Sequence, residues 1–96
     1  MTAPTRVLLA DDHTLVRRGL RLILDGEPDL QVVAEAGDGA QAVDLAAAGE
    51  VDLAILDIAM PRMTGLQAAR ELDRRGSPVR VLMLSMYDHE QYFFES

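Results

Sequence analysis

The sequence predicts an α/β fold, a doubly wound parallel sheet of four strands in the order 2-1-3-4. Three observations lead there. Short apolar runs, RVLLA at 6–10, LAIL at 53–56 and VRVLML at 79–84, each stop at an acid or a hydroxyl. Runs bounded in this way read as strands buried on both faces, as in parallel sheets covered by helices. After each strand the apolar period becomes helical, giving β-α-β-α-β-α-β-α without a repeat or a linker. The remaining strand, LQVVAEA at 30–36, carries Gln31 and Glu35 and so belongs at an edge. The winding then reverses between strands one and three, and open α/β sheets bind ligands at such a reversal, beyond the carboxyl ends of the strands.

The elements follow in order. Strand one ends at Asp11, Asp12 and His13. From Thr14 the apolar residues Leu15, Val16, Leu20, Ile23 and Leu24 form a helical stripe, leaving Arg17, Arg18 and Arg21 on a solvated basic face until Gly26 and Pro28 stop the helix. Asp38 and Gly39 open a second helix with Ala42, Val43, Ala46 and Ala47 inward and Asp44 outward, closed by Gly49. Strand three ends at Asp57. Thr64 with Gln67 makes a capping box for a third helix whose inner face is Leu66, Ala69 and Leu72, and Gly76 and Pro78 end it. Strand four ends at Ser85, and Asp88 with Gln91 opens a fourth helix.

Composition narrows the function. Ninety-six residues hold one core, and the 49% apolar share fills it. A net charge of −7 argues against a nucleic-acid surface, which needs a basic footprint. All nine basic residues are Arg, with no Lys, and there is no Cys to supply disulfide or thiol chemistry. No leader pattern and no apolar run of about 20 residues is present, so no membrane span and a cytoplasmic location are expected.

The predicted topology brings Asp11, Asp12 and Asp57 together at one end of neighbouring strands. Each alone has an ordinary explanation: an acid pair before a helix caps it, and an Asp at a strand end is common turn chemistry. Converging, three carboxylates repel one another unless a cation compensates them. All-oxygen coordination suits Mg²⁺, and such a centre suits phosphoryl transfer, with Asp57 as candidate nucleophile. His13 and His89, far apart and at predicted helix starts, read as solvated rather than as metal ligands.

The segments ADDHTLVRRGLRLIL, EAGDGAQAV, DLAILDIAMPRMTG and VLMLS resemble the receiver domain of two-component response regulators, and DDHTLVRRGL resembles its NarL/FixJ-type branch. The likeness runs from Arg6 to the last residue and implies a flavodoxin-like fold. Receivers are themselves among the folds on which the switch-point rule rests. The resemblance implies that Asp57 accepts a phosphoryl group from a phosphohistidine of a sensor histidine kinase. It implies Mg²⁺ held by Asp12, Asp57 and the backbone carbonyl of Ala59, with Asp11 acting through water. Ser85 would hydrogen-bond the phosphoryl group and draw its loop inward as the switch. Pro61 and Gly65 would shape the adjoining loop, and Ala59 and Tyr87 lie where the family tunes the lifetime of the acyl phosphate. The chain would act as a self-phosphorylating and self-dephosphorylating switch rather than a turnover enzyme, controlling a helix-turn-helix transcriptional output domain absent from this chain.

The family pattern also contains a Lys and an aromatic on a fifth strand, and neither is found here. The expectation is one receiver domain, 1–96, incomplete before its fifth strand and last helix. Strand four is then an open edge, and an exposed edge invites pairing, so a homodimer or an element-swapped assembly through it is expected. The alternative function is a non-phosphorylated interaction or dimerisation module in which the acids are only caps. A phosphatase of the haloacid-dehalogenase kind is disfavoured, because that chemistry needs a second Asp two residues after the nucleophile, where Ala59 stands.

Overall fold

The computed structural model describes residues 3–84. Within them β1 (Thr5–Ala10), α1 (Thr14–Asp25), β2 (Leu30–Ala36), α2 (Gly39–Ala47), β3 (Leu53–Asp57), α3 (Gly65–Arg74) and β4 (Arg80–Leu84) follow in sequence. The four strands form one parallel sheet in the order β2-β1-β3-β4, the order expected. Ser85, Tyr87 and the helix expected from Asp88 onward lie outside the described residues, as does His89.

Burial explains why the two central strands are so apolar. Val7, Leu8, Leu9 and Ala10 of β1 and Ala54, Ile55 and Leu56 of β3 are buried, because helices cover both faces of the sheet. Alternation divides them. Leu8, Ala10, Ala54 and Leu56 pack against α2 and α3, while Val7, Leu9 and Ile55 face Leu20 and Leu24 of α1. Each large aliphatic side chain removed from water in this way contributes about 1.5–3 kcal/mol. The β1–β2 register shifts between Val7 and Leu8, so that Leu8 pairs with Ala34 and Val33 is left exposed at the polar edge.

The helix faces differ from the expected stripes. On α1, Leu20 and Leu24 pack on the sheet and Val16 is half-buried, whereas Leu15 and Ile23 are 84% and 67% exposed. Arg17 is not on a solvated face but half-buried, because its guanidinium is drawn toward β2 by Glu35. Leu15, Leu22 and Ile23 lie on the outward flank of the helix. On α2, Gly39, Ala42, Val43 and Ala46 are buried and Ala47 is exposed; Gly49 follows with φ +88, the left-handed conformation that ends helices. On α3 the capping box of Thr64 and Gln67 is formed in both directions, yet the buried residues are Gly65, Ala68 and Leu72. Leu66 is exposed and Ala69 only half-buried, because the close seating of Gly65 on β3 rotates the contact face by one position.

Candidate functional site

The carboxyl ends of β1 and β3 present the acids, and the geometry follows from the register. Ala10 lies opposite Leu56 across the parallel pair, so Asp11 and Asp57 emerge side by side. Both are only 1% exposed. Asp11 donates its amide to the Ala36 carbonyl at 3.0 Å and accepts at Oδ1 from the His13 amide at 2.8 Å. Its own carbonyl accepts from Arg17 Nη1 at 2.6 Å, which holds the strand end against α1. Asp57 Oδ1 accepts from the Ala59 amide at 3.4 Å. The Oδ2 atoms of Asp11 and Asp57 are buried without a hydrogen-bond partner among the described residues.

Two buried carboxylate oxygens left unpaired are costly in a low-dielectric interior. The cost appears in the protonation of Asp57. Burial pushes its carboxyl above the ordinary range, and the neighbouring negative charges of Asp11 and Asp12 push it further; the Ala59 amide opposes this. A cation beside these oxygens would remove both penalties, so the donor set fits a hard divalent ion such as Mg²⁺.

The ligand atoms of Asp11, Asp12, His13 and Asp57 lie within 4.8 Å of one another. Three of the expected residues are therefore brought together. Ala59 is adjacent and contributes its amide to Asp57, while Ser85 lies outside the described residues. His13, expected at a solvated helix start, stands beside the acids. It is half-exposed, but its Nδ1 lies 3.0 Å from Asp11 Oδ1 and 3.2 Å from Asp12 Oδ1. The signal was its place directly after the acid pair, at a helix start where an imidazole is not a favoured cap.

The loop after Asp57 is built to approach the strand end. Gly65 donates its amide to the Ile58 carbonyl at 3.0 Å, and a Cβ at position 65 would stand 2.3 Å from the Asp57 carbonyl oxygen. Met63 donates its amide to the Pro61 carbonyl at 2.7 Å, closing a tight turn around Arg62, whose φ is +66. That conformation is uncommon for a residue with a side chain. Arg62 Nη1 also bonds Asp38, the N-cap of α2, at 2.9 Å.

Comparison with known proteins agrees with this geometry. Residues 7–96 match the family model described as the response regulator receiver domain. The nitrate/nitrite response regulator protein NarP of Escherichia coli K12 is 44% identical over 85 residues, which are 88% of this chain and 40% of NarP. The chain thus spans about two fifths of the length of such curated relatives. Among solved structures, a signal receiver domain of a NarL response regulator from Mycobacterium tuberculosis superposes with a TM-score of 0.88 at 37% identity, covering 98% of this chain and 76% of that one. A chain of the CheX–CheY–BeF₃–Mg²⁺ complex of Borrelia burgdorferi gives 0.82 at 29% identity, over 94% of this chain and 68% of that one. Buried paired acids at the switch point of a 2-1-3-4 sheet, an aligned family model and relatives of the NarL type lead to one conclusion: the chain belongs to the response regulator receiver domain family.

Proposed function

We propose that this chain is the phosphoacceptor switch of a two-component system, with Asp57 as the acceptor. The observation that carries the reading is the buried Oδ2 of Asp57, without a partner among the described residues, beside that of Asp11 at the switch point. Mg²⁺, when bound, neutralises the acids and the incoming phosphoryl oxygens. Asp11, Asp12, Asp57 and the backbone carbonyl of Ala59 would hold it. The Asp57 carboxylate then attacks the phosphorus of a phosphohistidine on a sensor histidine kinase; the P–O bond to Asp57 forms as the P–N bond breaks, and the histidine nitrogen leaves with its electron pair. Ser85 is proposed to hydrogen-bond the phosphoryl oxygens.

The relative bound with BeF₃ and Mg²⁺ supports the chemistry, and a CheY6 structure in complex with the P1 domain of CheA3 from R. sphaeroides, 33% identical to this chain, supports the kinase partner. The chain is read as a stoichiometric acceptor, cytoplasmic, governing a transcriptional output domain outside these residues. It is one receiver unit and binds no nucleic acid itself, its net charge being −7. Among the described residues no helix is long and apolar enough to cross a membrane. We also propose self-association through β4, the edge strand among the described residues, where Val81 and Leu82 are exposed.

The direct test is incubation of the chain and its Asp57→Asn variant with acetyl phosphate and Mg²⁺, read by intact mass. Phosphate added to the parent alone supports the reading; equal gain in both, or gain in neither, overturns it.

A further inference from the structure

His13 opens α1 with its backbone, its amide donating to Asp11 Oδ1 and its carbonyl accepting from the Arg17 amide, but its ring serves the acids rather than the helix. It occupies the N-cap of α1, yet its side chain makes no capping hydrogen bond to the helix. The ring turns back instead, placing Nδ1 at 3.0 Å and 3.2 Å from carboxylate oxygens of Asp11 and Asp12. It thereby completes a group of four donors whose ligand atoms all lie within 4.8 Å. Beside it, the Oδ2 atoms of Asp11 and Asp57 are buried and have no partner among the described residues, which marks the place as one that takes a ligand.

An imidazole nitrogen changes what kind of cation a carboxylate cluster prefers. Mg²⁺ takes oxygen donors and keeps its waters, so it gains little from a nitrogen nearby. Borderline dications such as Co²⁺, Ni²⁺ and Zn²⁺ bind imidazole well, and their affinity for mixed nitrogen and oxygen sites rises along the Irving–Williams order. We propose that His13 is an inner-sphere nitrogen ligand for a borderline transition-metal dication at the Asp11, Asp12 and Asp57 centre, giving this receiver a second class of metal besides Mg²⁺. In that state Nδ1 directs its lone pair to the cation, and a proton carried on Nδ1 is released to solvent. The half-exposure of the ring gives it freedom to make that adjustment. The inference rests on the acid cluster being a divalent-cation centre, as proposed above.

The test titrates Co²⁺ and Mg²⁺ separately into the full chain and into its His13→Ala, His13→Gln and Asp57→Asn variants by calorimetry. Proton NMR of the Co²⁺ forms follows the hyperfine-shifted imidazole N–H of a coordinated histidine. Co²⁺ affinity is expected to fall about tenfold or more in both His13 variants, with Mg²⁺ affinity changed less than about twofold. The shifted imidazole signal disappears with His13, and Asp57→Asn weakens both metals. Parallel loss of Co²⁺ and Mg²⁺ in the His13 variants would mean the ring only arranges the acids, and overturns the proposal. Unchanged Co²⁺ affinity, or Co²⁺ binding that survives Asp57→Asn intact, overturns it equally. A parent chain that binds Co²⁺ through His13 but takes neither Mg²⁺ nor phosphate would sink the phosphoacceptor reading and leave this one standing.

Discussion

Gly65 is seated against Asp57: a Cβ added to it would meet the Asp57 carbonyl oxygen at 2.3 Å and the Ile58 Cα at 3.2 Å. Both obstacles are backbone, so neither can rotate away. Gly65→Ala is expected to destabilise the fold by about 1–3 kcal/mol, the cost of overpacking. It should also displace the start of α3 from the strand end. Urea unfolding measures the first effect and amide shifts at Asp57, Ile58 and Ala59 the second; an alanine variant of parent stability would show that the loop is free to move.

Metal binding should stabilise the fold through the same acids. At Mg²⁺ a hundredfold above its Kd, binding to the native state alone adds about 2.7 kcal/mol. Asp57→Asn should be the more stable protein without metal at neutral pH, because it removes a buried charge beside Asp11, and should gain much less from Mg²⁺. Thermal melts of the two with and without Mg²⁺ decide this. Identical Mg²⁺ gains would place the ion elsewhere.

Arg17 ties the site to the helix. Its Nη1 donates to the Asp11 carbonyl and its Nε to Glu35 at 2.9 Å. Arg17→Ala is expected to cost about 1–2 kcal/mol, since a buried carbonyl loses its charged donor. Arg17→Lys should recover only part of this, because an ammonium lacks the planar fork that reaches both partners. Full recovery by Lys in denaturant unfolding would contradict the geometry.

A pH response lies away from the site, on α3. The Arg74 and Arg75 guanidinium groups lower the Glu71 carboxyl to about 2. Because the folded value is depressed, the favourable pairing is present above the ordinary carboxylate range and is lost as pH falls toward about 2. Carboxyl carbon shifts should show Glu71 titrating in that low window, returning to the ordinary range in the Arg74→Ala, Arg75→Ala double variant. An ordinary titration in the parent would mean the surface pairs do not persist in solution.

The β4 edge gives the last expectation. Sedimentation should show a concentration-dependent dimer that Val81→Lys weakens, since a charge on an edge strand opposes pairing. A monodisperse monomer at high concentration would set the interface aside.

The strand order was legible because periodicity and edge polarity both reflect burial: at the β2 edge Gln31 stays exposed and Glu35 reaches Arg17 and Arg21 of α1, which a strand enclosed on both sides would not allow as readily. The capping box at Thr64 and Gln67 was legible for a more local reason, since its two hydrogen bonds span three residues. Helix faces were less so. Leu15, Ile23 and Leu66 satisfy the helical period but lie exposed, because the period alone does not say which flank of a helix meets the sheet; that depends on contacts distant in sequence, such as Arg17 with Glu35 and Gly65 with Asp57.

What the chain alone determined was the alternation, the caps and the positions of Asp11, Asp12 and Asp57 at strand ends, all consequences of local pattern. Tertiary structure decided which oxygens went unpaired and that His13 joined them. Those facts depend on the parallel register of β1 and β3 and on the first turn of α1, where Nδ1 comes within 3.0 Å of a carboxylate that an exposed, solvated histidine would not be expected to reach.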